Sequence, residues 1–114
     1  LNQEGAGLKP GKVPSSPREE KKDTSLFGGQ GYMKTSIFRE RLKNPKFYRI
    51  TNLGDNDRDK LAGKLFGFKS EYTKENDVRE VKRQLELKKW GKFKDLSEDE
   101  RRKAVNLVNE ILKK

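Results

Sequence analysis

The sequence predicts an all-α protein: a small bundle of three or four short helices, preceded by an extended N-terminal tail rich in glycine and proline. Residues 1–31 contain six of the ten glycines and three of the four prolines, which oppose regular structure. Residues 37–112 contain almost all the apolar side chains that could form a core, and we find no strong strand or hairpin signal. The expected division is an extended or disordered tail, residues 1–34, and a basic helical domain, residues 35–114.

The tail is predicted to be non-helical and mobile unless a partner holds it. Its segment Leu26-Phe27-Gly28-Gly29 is a candidate docking segment, although a flexible tail is the favoured interpretation. The chain begins with Leu1 and not with Met, so we expect a fragment, a processed product or a trimmed chain.

The first helix is predicted from Ser36 to about Lys43, with Thr35 or Ser36 as its cap. A short apolar stripe supports it: Ile37, Phe38 and Leu42. Asn44-Pro45 should end it, because the residue before proline avoids the helical region. Residues 46–54 suit either an extended connector or an irregular turn.

A second helix is predicted from the acidic run that begins at Asp55, since carboxylates stabilise a helix N-terminus. Its apolar residues follow at helical spacing: Leu61, Ala62, Leu65, Phe66 and Phe68. A third helix should begin at Thr73 or Asn76 and reach about Lys89, where Gly91 breaks it.

The last helix has the clearest signals. Ser97 with Glu100 forms a capping-box pattern, and a wide apolar face follows: Ala104, Val105, Leu107, Val108, Ile111 and Leu112. No internal repeat at a fixed period is evident in the chain.

Composition excludes several kinds of site. The chain has no cysteine and no histidine, which removes disulfides, thiolate metal sites and the commonest general base. No run of about 18 apolar residues exists to span a membrane. The carboxylates cluster at helix starts, where a structural role is expected. We therefore predict no catalytic residue, no metal site, no cofactor and no membrane span.

Two motifs fail on inspection. The stretch from Gly28 to Thr35 resembles a phosphate-binding loop, but Met33 stands where the pattern needs glycine. The run from Asp55 to Asp59 resembles the start of a calcium loop. Lys60 and Phe66 then replace the glycine and the glutamate that such a loop requires.

The net charge of +10 is concentrated in two short segments. Residues 35–54 carry five basic and one acidic side chain, and residues 78–94 carry seven basic and two acidic ones, so together they hold nine of the ten net charges. Cations interleaved with aromatic rings are typical of surfaces that bind polyanions. The predicted nucleic-acid-binding residues are Arg79, Lys82, Arg83, Lys88, Lys89, Trp90, Lys92 and Lys94 in one patch, and Arg39, Arg41, Lys43, Lys46 and Arg49 in the other.

The aromatic residues of these segments allow two interpretations. Trp90, Phe93 or Tyr48 could stack on bases. Alternatively, the small core could bury Trp90, Phe93 and Phe47 beneath lysine stems, which is at least as well supported. For bidentate contacts the best candidates are Arg41, Arg49 and Arg83, because only the guanidinium group has the required fork.

One resemblance to a known family is carried by Lys64-Leu65-Phe66-Gly67-Phe68, a following charged helix, Leu96-Ser97 and the final amphipathic helix. Residues 61–113 resemble the tail region of very large phage-encoded polyvalent proteins, which are carried in the virion or ejected with the genome. The resemblance implies a structural or packaging role for a piece of a longer chain, and it implies no catalytic residues.

The predicted function is that of a non-enzymatic basic helical module that contacts nucleic acid mainly through the phosphate backbone. The alternative is a structural segment of a larger assembly such as a phage virion, in which the basic surfaces face acidic protein. We expect an intracellular location, in the cytoplasm or nucleoid, or a place inside a virion.

Overall fold

A computed structural model describes residues 25–87 and 89–113, so residues 1–24 of the predicted tail lie outside the described part. The elements are β1 (Tyr32–Lys34), α1 (Thr35–Arg41), α2 (Pro45–Thr51), α3 (Asp55–Phe66), β2 (Tyr72–Lys74), α4 (Glu75–Glu86) and α5 (Glu98–Leu112). The all-α prediction is confirmed, because the five helices dominate the described residues. The third predicted helix is shorter than expected: α4 ends at Glu86 and not at Lys89.

Helix α2 replaces the connector or turn that was predicted over residues 46–54. Pro45 occupies its first turn, where a missing N–H is tolerated. Asn44 Oδ1 accepts a hydrogen bond of 2.9 Å from the Lys46 N–H, which caps the helix. Asn52 then ends it in the left-handed conformation, at φ 58°. Asn44-Pro45 was predicted only to end the first helix, although the same pair can also start a helix, so the sequence prediction missed α2.

The folded domain begins ahead of the predicted boundary at residue 34. Phe27 is buried and stacks on Phe38, with ring centroids 5.7 Å apart. The Leu26 N–H donates to the Ile111 carbonyl at 2.9 Å, at the end of α5. The segment Leu26–Gly29 therefore packs on the helices in the way expected of a docking segment.

A short antiparallel ribbon, which the sequence did not predict, joins β1 to β2. Its register pairs Tyr32 with Lys74, Met33 with Thr73 and Lys34 with Tyr72. Thr73 is buried and Met33 half-buried, whereas the other four side chains are exposed. Three-residue strands are too short to show an alternating pattern in a sequence.

The ribbon leads into two halves of the chain that follow one plan. Each half has a Tyr-x-Lys strand, a first helix, a Lys-aromatic pair, and a last helix that begins within the pattern Leu-x-acid-x-acid-Arg. The Lys-aromatic pair lies in helix α2 in the first half and in a turn in the second. The strand patterns at residues 32–34 and 72–74 are 40 residues apart, whereas the helix patterns at 53–58 and 96–101 are 43 apart. The first helix has 7 residues in one half and 12 in the other. Because the separation changes along the chain, no fixed period was visible in the sequence.

A buried arginine repeats the same hydrogen bond in both halves. Arg58 Nε donates to the Leu42 carbonyl at 2.8 Å, and Arg101 Nη1 donates to the Leu85 carbonyl at 2.6 Å. Each acceptor lies at the end of the first helix of its half, where carbonyls lack partners within the helix. Each arginine therefore ties the first helix of its half to the last, α1 to α3 and α4 to α5.

Helix α5 lies at the centre of the packing. Its predicted capping box is confirmed, because Ser97 Oγ accepts from the Glu100 N–H at 3.1 Å and Glu100 accepts from the Ser97 N–H at 3.2 Å. Its buried face matches the prediction except at Val105, which is only half-buried; the buried apolar residues are Ala104, Leu107, Val108, Ile111 and Leu112.

The two basic segments reach α5 from different sides. Lys46 in α2 pairs with Glu110 at 3.7 Å, whereas Arg101 bonds to the end of α4 and to the segment after it. Residues 101 and 110 are nine positions apart, about two and a half turns, which places them on opposite sides of a helix. The two predicted patches therefore do not merge into one continuous surface.

Candidate nucleic-acid interface

The connector of the second half, residues 89–94, forms a turn that exposes a tryptophan; we call it the Trp90 turn. The Trp90 side chain is 82% exposed, more than any other large apolar side chain in the described residues. Lys89 Nζ lies 5.3 Å from the centroid of its ring. Phe93, three residues later, is buried in the core. Burial was thus the wrong interpretation for Trp90 and the right one for Phe93 and Phe47.

Backbone contacts hold the Trp90 turn against the end of α4. The Trp90 N–H donates to the Leu87 carbonyl at 2.8 Å, and the Lys92 N–H donates to Gln84 Oε1 at 2.9 Å. Gly91 is buried so close to α4 that any Cβ there would overlap the Gln84 carbonyl oxygen. On the core side, Arg101 Nη2 donates to the Phe93 carbonyl at 2.7 Å. These contacts therefore fix the conformation of the turn, with Trp90 on its outer side.

The lysines of the Trp90 turn keep their charges available. Lys89, Lys92 and Lys94 are exposed, and none forms an ion pair within residues 25–87 and 89–113. Lys82, half-buried on α4, likewise has no acidic partner in that part of the chain. Lys92 nevertheless lies close enough to Glu80 for its charge to help lower the pKa of that carboxyl. The side chain of Lys88, also a predicted contact, lies outside the described residues.

The arginines of this patch are bound to carboxylates of their own helix. Arg79 pairs with Glu75 at 2.5 Å. Arg83 donates twice to Glu80, through Nε at 3.2 Å and Nη2 at 2.6 Å. The hydrogen bonds from Arg83 lower the pKa of Glu80, and the hydrogen bond to Glu80 raises the pKa of Arg83. The fork of Arg83, predicted for bidentate binding, is thus already occupied.

Most cations of the second patch also have internal partners. Arg39 forms two hydrogen bonds with Asp59, at 3.1 and 2.7 Å, and the hydrogen bond with this carboxylate raises the pKa of Arg39. Arg41 Nη1 donates to the Leu26 carbonyl at 3.1 Å. Lys43 pairs with Glu40 at 3.4 Å and Lys46 with Glu110 at 3.7 Å.

Arg49 differs from the rest of the second patch. Its side chain is exposed, and no ion pair holds it in the part of the chain that the structure describes. The neighbouring Tyr48 ring is 51% exposed. Of the three arginines proposed for bidentate contacts, Arg49 is the one whose fork is open.

Sequence reasoning missed one cationic surface, the outer face of the ribbon. Tyr32 and Tyr72 meet there edge to face, with ring centroids 5.9 Å apart, and Lys34 and Lys74 flank them. The signal that could have found it is the Tyr-x-Lys pattern, which occurs twice.

No family model, curated protein or solved structure matches this chain. The resemblance to phage polyvalent proteins therefore stays a prediction. Within the described residues, no group of three or more acidic side chains is placed to hold a metal ion. No helix there combines the length and the apolar character needed to cross a bilayer.

Proposed function

We propose that this protein is a non-enzymatic nucleic-acid-binding module, and that the Trp90 turn is its principal contact. The observation that carries the proposal is an exposed tryptophan beside three exposed lysines that form no ion pair in the described residues. A domain this small has few large rings for its core, so an exposed tryptophan needs an explanation other than packing. Lysine ammonium groups neutralise phosphates, and an indole ring can stack on a base.

The contacts of the turn divide into two kinds. Lys82, Lys89, Lys92 and Lys94 are proposed to contact phosphates, which position a protein without reading sequence. Stacking by Trp90 adds roughly 1–3 kcal/mol per base and tolerates any base. The expected binding is therefore sensitive to salt and nearly independent of sequence.

The remaining predicted residues take secondary places in this proposal. Arg79 and Arg83 lie beside the turn, but a phosphate would have to compete with Glu75 and Glu80 for them. Arg49 belongs to the opposite side of α5 and would contact a different part of a long nucleic acid. The proposed location remains intracellular or inside a virion.

The decisive experiment is a salt titration of binding to duplex DNA. The variant K89Q/K92Q/K94Q should make the plot of log K against log salt shallower by about 2.7 units. Each duplex phosphate contact contributes a slope of roughly −0.9. Glutamine removes the charge while keeping a polar side chain, slightly shorter than that of lysine, and circular dichroism checks that the variant is folded.

The matched control is K60Q/K64Q/K103Q, which removes the same charge from α3 and α5. It should leave the slope close to that of the wild type. Equal changes in both variants would mean that binding follows net charge alone, and the proposed site would be wrong. Negligible wild-type binding would instead favour the alternative proposal, a structural segment of a larger assembly that faces acidic protein.

A further inference from the structure

The outer face of the ribbon carries four exposed side chains in a two-fold arrangement. The Tyr32 and Tyr72 side chains are 53% and 44% exposed. Lys34 and Lys74 are exposed beside them, and within residues 25–87 and 89–113 no acidic side chain pairs with either ammonium group. Each tyrosine lies opposite a lysine across the ribbon.

The two-fold relation extends to the backbone. Exchanging residues 32–34 with 72–74 leaves the register unchanged, because Met33 pairs with Thr73 at the centre. The hydrogen bonds at the ends match as well: the Thr35 N–H donates to the Glu71 carbonyl and the Glu75 N–H to the Gly31 carbonyl, both at 2.8 Å. A local two-fold axis therefore passes between Met33 and Thr73, perpendicular to the exposed face.

The exposed rings are not required by the core of the protein. Met33 and Thr73 form the inner side of the ribbon, and the core beneath contains Phe27, Phe38 and other apolar residues. Among the nearby acidic residues, Glu75 is held by Arg79, and Glu71 is exposed just before β2 but forms no ion pair with Lys34 or Lys74. The face is thus cationic and aromatic without an internal reason to be either.

We propose that this face is a second contact surface, specific for double-stranded nucleic acid, with the two-fold axis of the ribbon lying on a two-fold axis of the duplex. This inference rests on the proposed function, because it takes nucleic acid as the partner. The two strands of a duplex are antiparallel and related by local two-fold axes, so Lys34 and Lys74 can each contact a phosphate of a different strand. A single strand has no such axis. Two-stranded ribbons are known to fit duplex grooves, and two-fold proteins place their axis on that of the site.

The test compares Lys34→Gln, Lys74→Gln and the double variant on a duplex and on a single strand of the same sequence. On the duplex, the double variant should make the slope of log K against log salt shallower by about 1.8 units. Each single variant should give about half of that change, because the axis makes the two lysines equivalent. Binding to the single strand should stay close to that of the wild type.

The control K60Q/K64Q removes two charges from α3 and should change neither probe's slope. Equal losses on duplex and single strand, or clearly unequal single variants, would overturn the two-fold duplex contact. If K89Q/K92Q/K94Q weakens both probes while K34Q/K74Q behaves like wild type, this inference fails and the proposed function stands. If the wild type binds neither probe, both fail.

Discussion

The two Lys-aromatic segments of this protein, one at the start of α2 and one in the Trp90 turn, begin alike and place their aromatic rings in opposite environments. Lys46-Phe47 and Lys89-Trp90 follow the first helix of each half, and each lysine lies 5.3 Å from the neighbouring ring centroid. The Phe47 N–H bonds to the carbonyl three residues back at 3.0 Å, and the Trp90 N–H does the same at 2.8 Å. Yet Phe47 is fully buried, whereas Trp90 is 82% exposed.

The residue after each ring accounts for much of this difference. Tyr48 continues helix α2, which directs Phe47 into the core. Gly91 stands at the corresponding place of the second half and packs against the Gln84 carbonyl, so the chain turns and Phe93 enters the core instead. The second half fills its core with a later ring, Phe93, and Trp90 stays exposed.

The largest expected effect is the difference in unfolding free energy between variants that remove the Phe47 ring and the Trp90 ring. Phe47→Ala should destabilise the domain by about 3–5 kcal/mol, because it empties a fully enclosed site. Trp90→Ala should change stability by no more than about 0.5 kcal/mol, as surface substitutions do. Urea unfolding of both variants measures the difference. A comparable loss for Trp90→Ala would show that the indole supports the fold and would break the comparison.

Several parts of this structure could be predicted because they are long enough to show a pattern. The capping box and apolar face identified α5, and apolar residues at helical spacing identified α3, although one of them, Phe68, lies beyond its end at Phe66. Helix α2 was missed because Asn44-Pro45 was interpreted as a helix end and not as a helix start. The ribbon was missed because strands of three residues are too short to show a clear alternation. The shared plan of the two halves was missed because α4 is longer than α1, so the corresponding motifs are not separated by a constant number of residues.

The candidate site was only partly predictable for a different reason. The charge pattern identified the cationic segments, but whether Trp90 or Phe93 enters the core depends on the approach of Gly91 to α4, a tertiary contact. The pairing of Arg83 with Glu80 could have been predicted from the sequence, because residues three apart lie next to each other on a helix. That spacing would have marked this arginine as internally paired.

A smaller expected effect on stability tests whether Gly91 causes the different burial of Phe47 and Trp90. Gly91→Ala should destabilise the domain by about 1–3 kcal/mol, because a Cβ there overlaps the Gln84 carbonyl and the turn must move. The control is Gly63→Ala on α3, where a Cβ meets open space. It should be neutral or stabilise by up to about 1 kcal/mol, since alanine favours a helix over glycine. Thermal unfolding measures both, and equal effects would remove Gly91 as the cause.

The smallest expected effect is on the pH dependence of stability and concerns Arg83. Its guanidinium group is bound to Glu80, whereas that of Arg49 has no ion pair in the described residues. Hydrogen bonds from Arg83 and then Gln84 lower the pKa of Glu80 below its ordinary 4.5. A carboxylate with a lowered pKa in the folded state stabilises the fold above its unfolded pKa, and this contribution is lost as pH falls through the folded pKa. Arg83→Gln should therefore raise the pKa of Glu80 and weaken the acid dependence of stability below about 4.5. Arg49→Gln, the matched control, should leave that pKa unchanged.

The same carboxylate reports whether Arg83 takes part in binding. Carbon-13 NMR titration of Glu80 with and without bound duplex follows its pKa directly. If Arg83 stays with Glu80, the pKa of Glu80 remains lowered in the complex and the lysines of the Trp90 turn supply the charge. If a phosphate captures the guanidinium, the pKa of Glu80 rises on binding, as it does in Arg83→Gln. That result would return Arg83 to the group of principal contacts and leave Glu75 as the competing partner of Arg79.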